Sequence, residues 1–137
     1  MIVTGEEDVV ERVLDLTAGR VAEFVLDAIA GPGVVSLSKV LAPGGTLLIY
    51  GHLSGQETPY PPMETIRTGT MRSYTLFETT TDRRRLRRAE AFVSSGLSTG
   101  AFEPVVDRVF GLDEIVEAHR YLEAGAQFGK IVVTVDH

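Results

Sequence analysis

Two short apolar runs most constrain how this chain can fold. Phe24-Val25-Leu26 and the segment Thr46 to Tyr50 are apolar almost throughout and do not alternate with polar residues. Such runs are typical of strands covered on both faces, as in a parallel sheet. A helical pattern separates them, carried by Val34, Leu37, Val40 and Leu41. The order strand, helix, strand predicts an α/β fold, with right-handed crossovers and a parallel sheet that has helices on both faces.

The pattern extends toward the N-terminus. Ile2 and Val3 fit the end of a strand, and with only Met1 before them we expect the chain to begin inside an element. Thr4 and Glu7 have the spacing of a capping box, in which each side chain bonds the other residue's amide. A helix with one apolar stripe is predicted to follow, and Gly19 fits its end.

The pattern also extends toward the C-terminus. Met71 to Phe77 alternates well enough for a third full strand, and the polar run Thr79 to Asp82 offers caps for a helix. We predict that this helix covers Arg83 to Ser95 and ends at Gly96.

The C-terminal segment, from residue 102 onward, is predicted to contain two strands separated by a helix. A strand is predicted from Glu103 to Phe110, then a helix capped by Asp113 that reaches Ala124, then a last strand from Lys130 to Val135.

Composition excludes several classes of function. The 137 residues have the size of one domain and a net charge of −6, which argues against binding to nucleic acid. The chain has no cysteine, so disulfides, thiolate zinc sites and cysteine nucleophiles are excluded, and His52, His119 and His137 lack metal-binding spacing. No apolar run reaches the ~20 residues that span a bilayer, and no signal peptide is recognisable. We therefore expect a cytoplasmic protein without a bound metal.

Several sequence segments, in the right order, resemble one known family. They are Asp8 to Val13, Thr17 to Arg20, Val25 to Ala28, Leu41 to Leu47, Phe102 to Phe110, Glu117 to Glu123 and Phe128 to Val133. Together they are similar to the C-terminal portion of zinc-independent, quinone oxidoreductase-like medium-chain dehydrogenases. The resemblance implies an NADP(H)-dependent oxidoreductase that passes hydride to a quinone or an activated alkene. It implies a Rossmann cofactor domain over residues 1–101 and returning strands of the catalytic domain over residues 102–137.

The glycine-rich turn that holds the cofactor phosphates in this family has no counterpart in the sequence. Gly31-Pro32-Gly33 follows a strand, but its proline lacks an amide donor and no third glycine follows at the required spacing. Gly44-Gly45 precedes a strand, so no helix N-terminus faces a phosphate there. We therefore expect weak or absent NADP(H) binding by this chain alone.

The resemblance places six residues beside the nicotinamide half of the cofactor. They are Gly51, His52, Leu76, Phe77, Gly129 and Lys130. Each also has a plain structural interpretation: a glycine that ends a strand, an apolar side chain in the core, a solvated histidine or lysine. Ala28 to Ala30 would border the adenosine half, although members of the family often have glycine at Ala30. No catalytic side chain is assigned.

Three questions of assembly remain open at this level. The arginines between Arg83 and Arg88 stand out in an acidic chain, as a solvated helix face or as a site for an anion or an acidic partner. The strand Val21 to Asp27 would expose an apolar edge, so we expect a homodimer or a strand-swapped assembly. The resemblance also implies a dimer in which Arg72 to Phe77 pairs with the same segment of a second copy.

The alternative functions are a non-catalytic interaction module and a methyltransferase fragment, the latter motivated by the Pro43-Gly44-Gly45 turn.

Overall fold

The computed structural model describes residue 2 and residues 6–135, which fall into two compact units. The first unit is Met1–Arg85 and the second is Leu86–His137. The predicted strand at Val3, the capping box on Thr4 and the histidine at 137 lie outside the described residues. Within them, no helix is long and apolar enough to cross a membrane.

The first unit is built on a parallel three-stranded sheet. Its strands are β1 (Ala22–Asp27), β2 (Leu41–Ile49) and β3 (Thr70–Ser73), in the order β1-β2-β3. Its helices are α1 (Val9–Leu16), α2 (Val34–Lys39), α3 (Met63–Ile66) and α4 (Phe77–Thr80). The α/β fold class is confirmed, because parallel sheets are flanked by helices.

The core of this unit lies on one face of the sheet. Val34, Leu41, Leu47 and Ile66 are buried together, with Val25, Leu37, Ile49 and Met71 packed around them. The opposite face of β1 is open, since Phe24 is 71% and Leu26 is 67% exposed. Successive side chains of a strand point to opposite faces, so the apolar run of β1 contributes to the core through Val25 while its neighbours remain uncovered.

The capped start of α1 differs from the sequence prediction. The side chain of Asp8 accepts hydrogen bonds from the amides of Val10 and Glu11, at 2.9 and 3.0 Å. Asp8 is therefore the N-cap of the helix.

The second strand is longer than predicted. It begins at Leu41, which pairs with Ala22, and the register then jumps so that Phe24 pairs with Thr46. The Pro43-Gly44 segment is thus an irregularity inside β2 rather than a turn before it, and Gly44 has a φ of 78° that suits glycine.

The third strand is shorter than predicted, because Leu76 and Phe77 do not belong to it. Ser73 is its last residue, and the chain then forms the single helical turn α4. Glu78 explains the change: its carboxylate pairs with Arg72 at 2.7 Å and accepts from the amide of Thr75 at 3.4 Å. These local bonds favour a turn over an extended chain.

The second unit consists of most of a long helix and a parallel strand pair. Its elements are α5 (Arg83–Ser98, which begins in the first unit), β4 (Val106–Gly111), α6 (Ile115–Glu123) and β5 (Lys130–Thr134). The strands β4 and β5 pair in parallel, with Phe110 and Ala118 buried. The strand predicted from Glu103 starts at Val106 instead.

Two helix limits in this region were wrongly predicted. Gly96 does not end α5, which continues to Ser98; the ring of Phe102 lies where a Cβ of Gly96 would be, so glycine is required for packing. The helix α6 is not capped by Asp113. A 3₁₀ turn, Leu112–Glu114, precedes it, and the Glu114 carboxylate accepts from the amide of Gly111 at 2.9 Å.

One side-chain cluster joins β4, α6 and the loop before β5. Asp107 accepts from the hydroxyl of Tyr121 at 2.8 Å and from the amide of Phe128 at 3.4 Å. The guanidinium of Arg108 lies over the rings of Phe110 and Tyr121, 4.7 and 5.1 Å from their centroids. The hydrogen bond to Asp107 raises the pKa of Tyr121 above 10.0, because it favours the protonated phenol; desolvation and the Asp107 charge act in the same direction.

We predict that the pKa of Tyr121 lies above the usual tyrosine value of 10.0. A folded pKa above the unfolded value means that the hydroxyl's contribution to stability is complete below pH 10.0 and is lost as the pH rises through the folded pKa. The measurement is phenolate absorbance against pH for the wild type and Tyr121→Phe, with Tyr60→Phe as the control for an exposed tyrosine. A difference curve with its midpoint at or below 10.0 would contradict the bond to Asp107.

Candidate functional site

A cavity lies at the carboxyl ends of β2 and β3. Its volume is about 520 Å³. It is lined by Ala30, Ile49, Tyr50, Gly51, His52, Thr58, Met71, Ser73, Tyr74, Thr75, Leu76 and Phe77. In open α/β sheets, ligands bind outside the carboxyl ends of the strands, so the cavity has the expected location for a site.

Four of the six predicted site residues line this one cavity. Gly51 and His52 enter it from the end of β2, while Leu76 and Phe77 enter it from the turn that starts α4. The two apolar side chains are 66% and 72% exposed, so they are not core residues in the first unit. The strand predicted to include them was wrong, and their contact with a cofactor stays a prediction.

Gly51 is required by the close approach of two backbone segments. A Cβ at this position would collide with the carbonyl oxygen of Ala28, and it would lie 3.1 Å from the carbonyl carbon and Cα of the same residue. The chain that leaves β2 thus passes directly against the chain that leaves β1. This contact forms one wall of the cavity.

Hydrogen bonds join the same two segments along their length. The amide of Leu53 donates to the carbonyl of Ala28 at 3.2 Å, and the amide of Ser54 donates to that of Ile29 at 2.9 Å. The amide of Gly31 donates to the hydroxyl of Thr58 at 2.9 Å. The loops after β1 and β2 therefore form one connected structure.

A buried carboxylate organises the loop after β1. Asp27 is 6% exposed, and its oxygens accept from the amides of Ile29 at 2.8 Å and Ala30 at 3.1 Å. With the Gly31 amide bonded to Thr58, three successive amides at this strand end already have side-chain acceptors. A phosphate needs free amides and no adjacent carboxylate. This loop does not fit a phosphate.

Ala30 has a strained backbone. Its φ of 58° and ψ of −154° lie in a region that is open almost only to glycine. Asp27 and the neighbouring loop hold it there despite a side chain that disfavours the conformation. The strain coincides with the wall of the cavity.

Tyr50 is a site residue that the sequence analysis missed. It lines the cavity beside Gly51 and also a second one, of about 570 Å³, that extends over Leu26 to Ala30 toward Val9 and Leu37. A half-exposed aromatic residue between two cavities is suited to contact a flat ligand on either side. Its position immediately before the predicted Gly51 was the signal that could have identified it.

The other two predicted site residues lie in the second unit. Gly129 and Lys130 line a groove of about 320 Å³ between α6 and β5, together with His119, Gln127 and apolar side chains. Gly129 has a φ of 122°, and a Cβ there would lie 2.5 Å from the carbonyl oxygen of Val105. Among the described residues, Gln127 Oε1 is buried without a hydrogen-bond partner.

Ligands for a metal are not brought together in the described part of the chain. No group of three or more histidine, aspartate or glutamate side chains has suitable geometry among residues 2 and 6–135. The acidic side chains near the start of α1 do line a surface depression, together with Arg12.

A family comparison covers nearly the whole chain. The model of a family described as zinc-binding dehydrogenase matches residues 2–133. The chain belongs to the zinc-binding dehydrogenase family. The resemblance to quinone oxidoreductase-like dehydrogenases is thereby confirmed at family level. A search of curated proteins gives no match.

Solved structures with a similar fold include dehydrogenases and reductases. The dehydrogenase chain is 32% identical to a structure described as a putative alcohol dehydrogenase from Sinorhizobium meliloti, with a TM-score of 0.73, covering 93% of this chain and 35% of that one. A quinone oxidoreductase from Pseudomonas syringae has 19% identity and a TM-score of 0.75, with 93% and 40% covered. A mycobacterial protein solved with NADPH has 22% identity and a TM-score of 0.74, with 90% and 39% covered. The chain thus spans about 40% of the length of such structures.

Two opposite substitutions test the cavity wall of this dehydrogenase chain. We predict that Ala30→Gly stabilises the first unit by about 1 kcal/mol, because relief of ~1–3 kcal/mol of backbone strain exceeds glycine's entropic cost. Gly51→Ala should destabilise it by about 1–3 kcal/mol, since the added methyl group meets backbone.

Urea unfolding, followed by circular dichroism, measures both effects. Gly33→Ala is the matched control, since a Cβ there meets nothing within 4 Å and its φ is not positive. A loss of stability in Ala30→Gly would mean that the strained geometry is not the one adopted in solution.

Proposed function

We propose that this chain supplies the nicotinamide side of the cofactor cleft in a zinc-independent, NADP(H)-dependent reductase of quinones or activated alkenes. The observation that carries the proposal is the cavity at the carboxyl ends of β2 and β3, lined by Gly51, His52, Leu76 and Phe77. A mostly apolar wall with a closely approaching backbone suits a flat, weakly polar ring. The mycobacterial structure with NADPH and the Pseudomonas quinone oxidoreductase support the choice of cofactor and substrate class.

The residues present fit one half of the cofactor and not its phosphates. The backbone at Gly51 and the side chains of Leu76 and Phe77 would hold the ring, and Tyr50 would lie at its border. The amides of Ile29, Ala30 and Gly31 are bonded to Asp27 and Thr58, so they are not free for a phosphate. When bound, NADPH supplies a hydride, and this chain's residues orient the ring and exclude water from it.

We infer that the chain alone neither binds the cofactor tightly nor catalyses hydride transfer. Catalysis would require the remaining portion of a family member, which carries a phosphate-binding turn. Gly129 and Lys130 line a separate groove in the second unit, and their contact with the cofactor stays a prediction from the family resemblance. Zinc independence is proposed from the resemblance to quinone oxidoreductase-like enzymes. The lack of cysteine leaves no thiolate zinc ligand in this chain and fits the proposed reducing, cytoplasmic location.

Titration of the purified chain with NADPH tests this proposal. We expect a dissociation constant weaker than about 0.1 mM, because phosphate contacts that normally contribute several kcal/mol are missing. Calorimetry or quenching of the nicotinamide fluorescence provides the measurement, and Leu76→Asp with Phe77→Asp provides a variant that should remove any residual binding. Lys39→Glu is a charge control away from the cavity. Micromolar affinity in the wild type would contradict the account of the missing phosphate contacts.

Activity must be restored by fusion if the proposal is correct. The match to the Pseudomonas quinone oxidoreductase covers 93% of this chain. A fusion of this chain to the N-terminal portion of that protein should oxidise NADPH with a quinone. The same fusion with Gly51→Val should lose most of this activity, because a larger side chain cannot occupy the contact with Ala28.

A second candidate function is a non-catalytic, dimerising module derived from the family. The open face of β1, with Phe24 and Leu26 more than two-thirds exposed, favours it. A sheet edge with unpaired backbone groups invites a strand from a second chain.

The dimerising module has its own prediction. At micromolar concentration and high salt, the wild type should sediment as a dimer, and Phe24→Lys should shift it toward a monomer of 14.9 kDa. Leu53→Lys is the matched control, since Leu53 is also exposed, at 77%, but lies in a loop. A wild type that is a well-folded monomer would exclude this assembly.

A further inference from the structure

The N-terminal half of α5 carries a concentrated positive charge. Arginine occupies positions 83, 84, 85, 87 and 88, whereas the whole chain has a net charge of −6. The rest of the molecule is therefore strongly acidic. A basic segment in such a chain is the part of the surface most attractive to an acidic partner.

Two of these arginines form an unoccupied face. Arg85 is engaged locally, since it donates to the carbonyl of Glu78 at 3.1 Å and lies 3.7 Å from Asp82. Arg84 and Arg88 are exposed and, within the described residues, form no ion pair. They are four residues apart on one helix, so they lie on the same face, one turn from each other. We call this pair the arginine face.

Helix stability does not explain the arginine face. Arg84 lies in the first turn of α5, where a positive charge opposes the helix macrodipole at a cost of about 0.3–1 kcal/mol. Like charges at i and i+4 cost a further ~0.2–0.5 kcal/mol. Asp82 offsets part of this cost by accepting from the amides of Arg84 and Arg85, at 2.8 and 3.1 Å.

The same chain carries a complementary acidic face on α1. Glu11 and Asp15 are exposed and also four residues apart, and Glu6, Glu7 and Asp8 lie immediately before them. Among the described residues that line this depression, Arg12 is the one cation; it pairs with Glu7 at 3.2 Å and with Asp15 at 2.6 Å. The cluster therefore keeps a surplus of negative charge. We call Glu11 and Asp15 the acidic face.

We propose that the arginine face of one copy of this chain docks on the acidic face of a second copy. The two faces have opposite charge and the same spacing of one helical turn. The pair that Asp15 forms with Arg12 is exposed, so Asp15 can exchange it for a pair with the arginine face. A polyanion such as nucleic acid is a poorer occupant, because the remaining acidic surface repels it.

The association must be weak and sensitive to salt. Exposed ion pairs contribute about 0.2–1 kcal/mol each, so a few pairs alone do not give a tight dimer. The Debye length falls from roughly 30 Å at 0.01 M to 3 Å at 1 M ionic strength, so the attraction is largely lost at the higher value. This salt dependence distinguishes it from apolar association through β1.

A charge exchange tests the proposal. Sedimentation equilibrium of the whole chain measures the average mass at about 0.01 M and 1 M salt, the two extremes of screening. We expect the association constant of the wild type to fall about tenfold or more between them. Arg84→Glu with Arg88→Glu should remove the salt-dependent part, and so should Glu11→Arg with Asp15→Arg. A mixture of these two variants should restore it, because each variant then offers the face that the other needs.

Controls separate the proposal from its alternatives. Lys39→Glu with Arg120→Glu changes the net charge equally at other exposed positions and should leave the association intact. If the double glutamate variant is unfolded by circular dichroism, Arg84→Gln with Arg88→Gln provides the milder loss of charge. Failure of the mixture to associate, or an unchanged wild type at both salt concentrations, would overturn the proposal. So would heparin binding that depends on Arg84 and Arg88 without salt-dependent self-association, since the occupant would then be a polyanion.

Discussion

The candidate site depends on the bonds that the buried carboxylate of Asp27 makes to its own loop. By accepting from the amides of Ile29 and Ala30, it holds the chain that leaves β1 in a fixed path. Only because that path is fixed can Gly51 pass so close to the carbonyl of Ala28. The wall of the cavity is thus made of backbone, and its shape depends on a side chain that no ligand needs to touch.

The same bonds limit what the site can bind. An amide that donates to Asp27 or to Thr58 is not available to an anion, and a carboxylate beside it is repulsive to phosphate. A flat apolar ring needs no free amide and is not repelled by a carboxylate, since it binds to an apolar surface beside the backbone. The loop therefore suits an apolar ring better than a phosphate group, which is why the proposed function assigns only the nicotinamide half of the cofactor to this chain. Strain at Ala30 belongs to the same arrangement, since the loop imposes on alanine a conformation that glycine adopts freely.

Sequence patterns predicted β1 and β2 because each contains a short apolar run, and β3 because its segment alternates. They failed where a local bond competes with the pattern. Met71 to Phe77 alternates like a strand, yet the pair formed by Glu78 and Arg72 converts its end into a helical turn. Gly96 reads as a helix stop, yet it lies inside α5 because the ring of Phe102 occupies the space of its side chain. Pairings between residues several positions apart are not visible in periodicity.

Prediction of the candidate site was limited in the same way, because contacts between loops are not visible in the sequence pattern. Gly51, His52, Leu76 and Phe77 line one cavity because family resemblance selected residues that follow strands, and such residues meet at one edge of the sheet. Tyr50 and the bonded amides were missed, because their roles arise only when two loops meet. The family match identifies the class of enzymes to which the chain is related. Binding of the cofactor phosphates depends on free backbone amides. In the loop after β1, the amides of residues 29–31 already donate to Asp27 and Thr58.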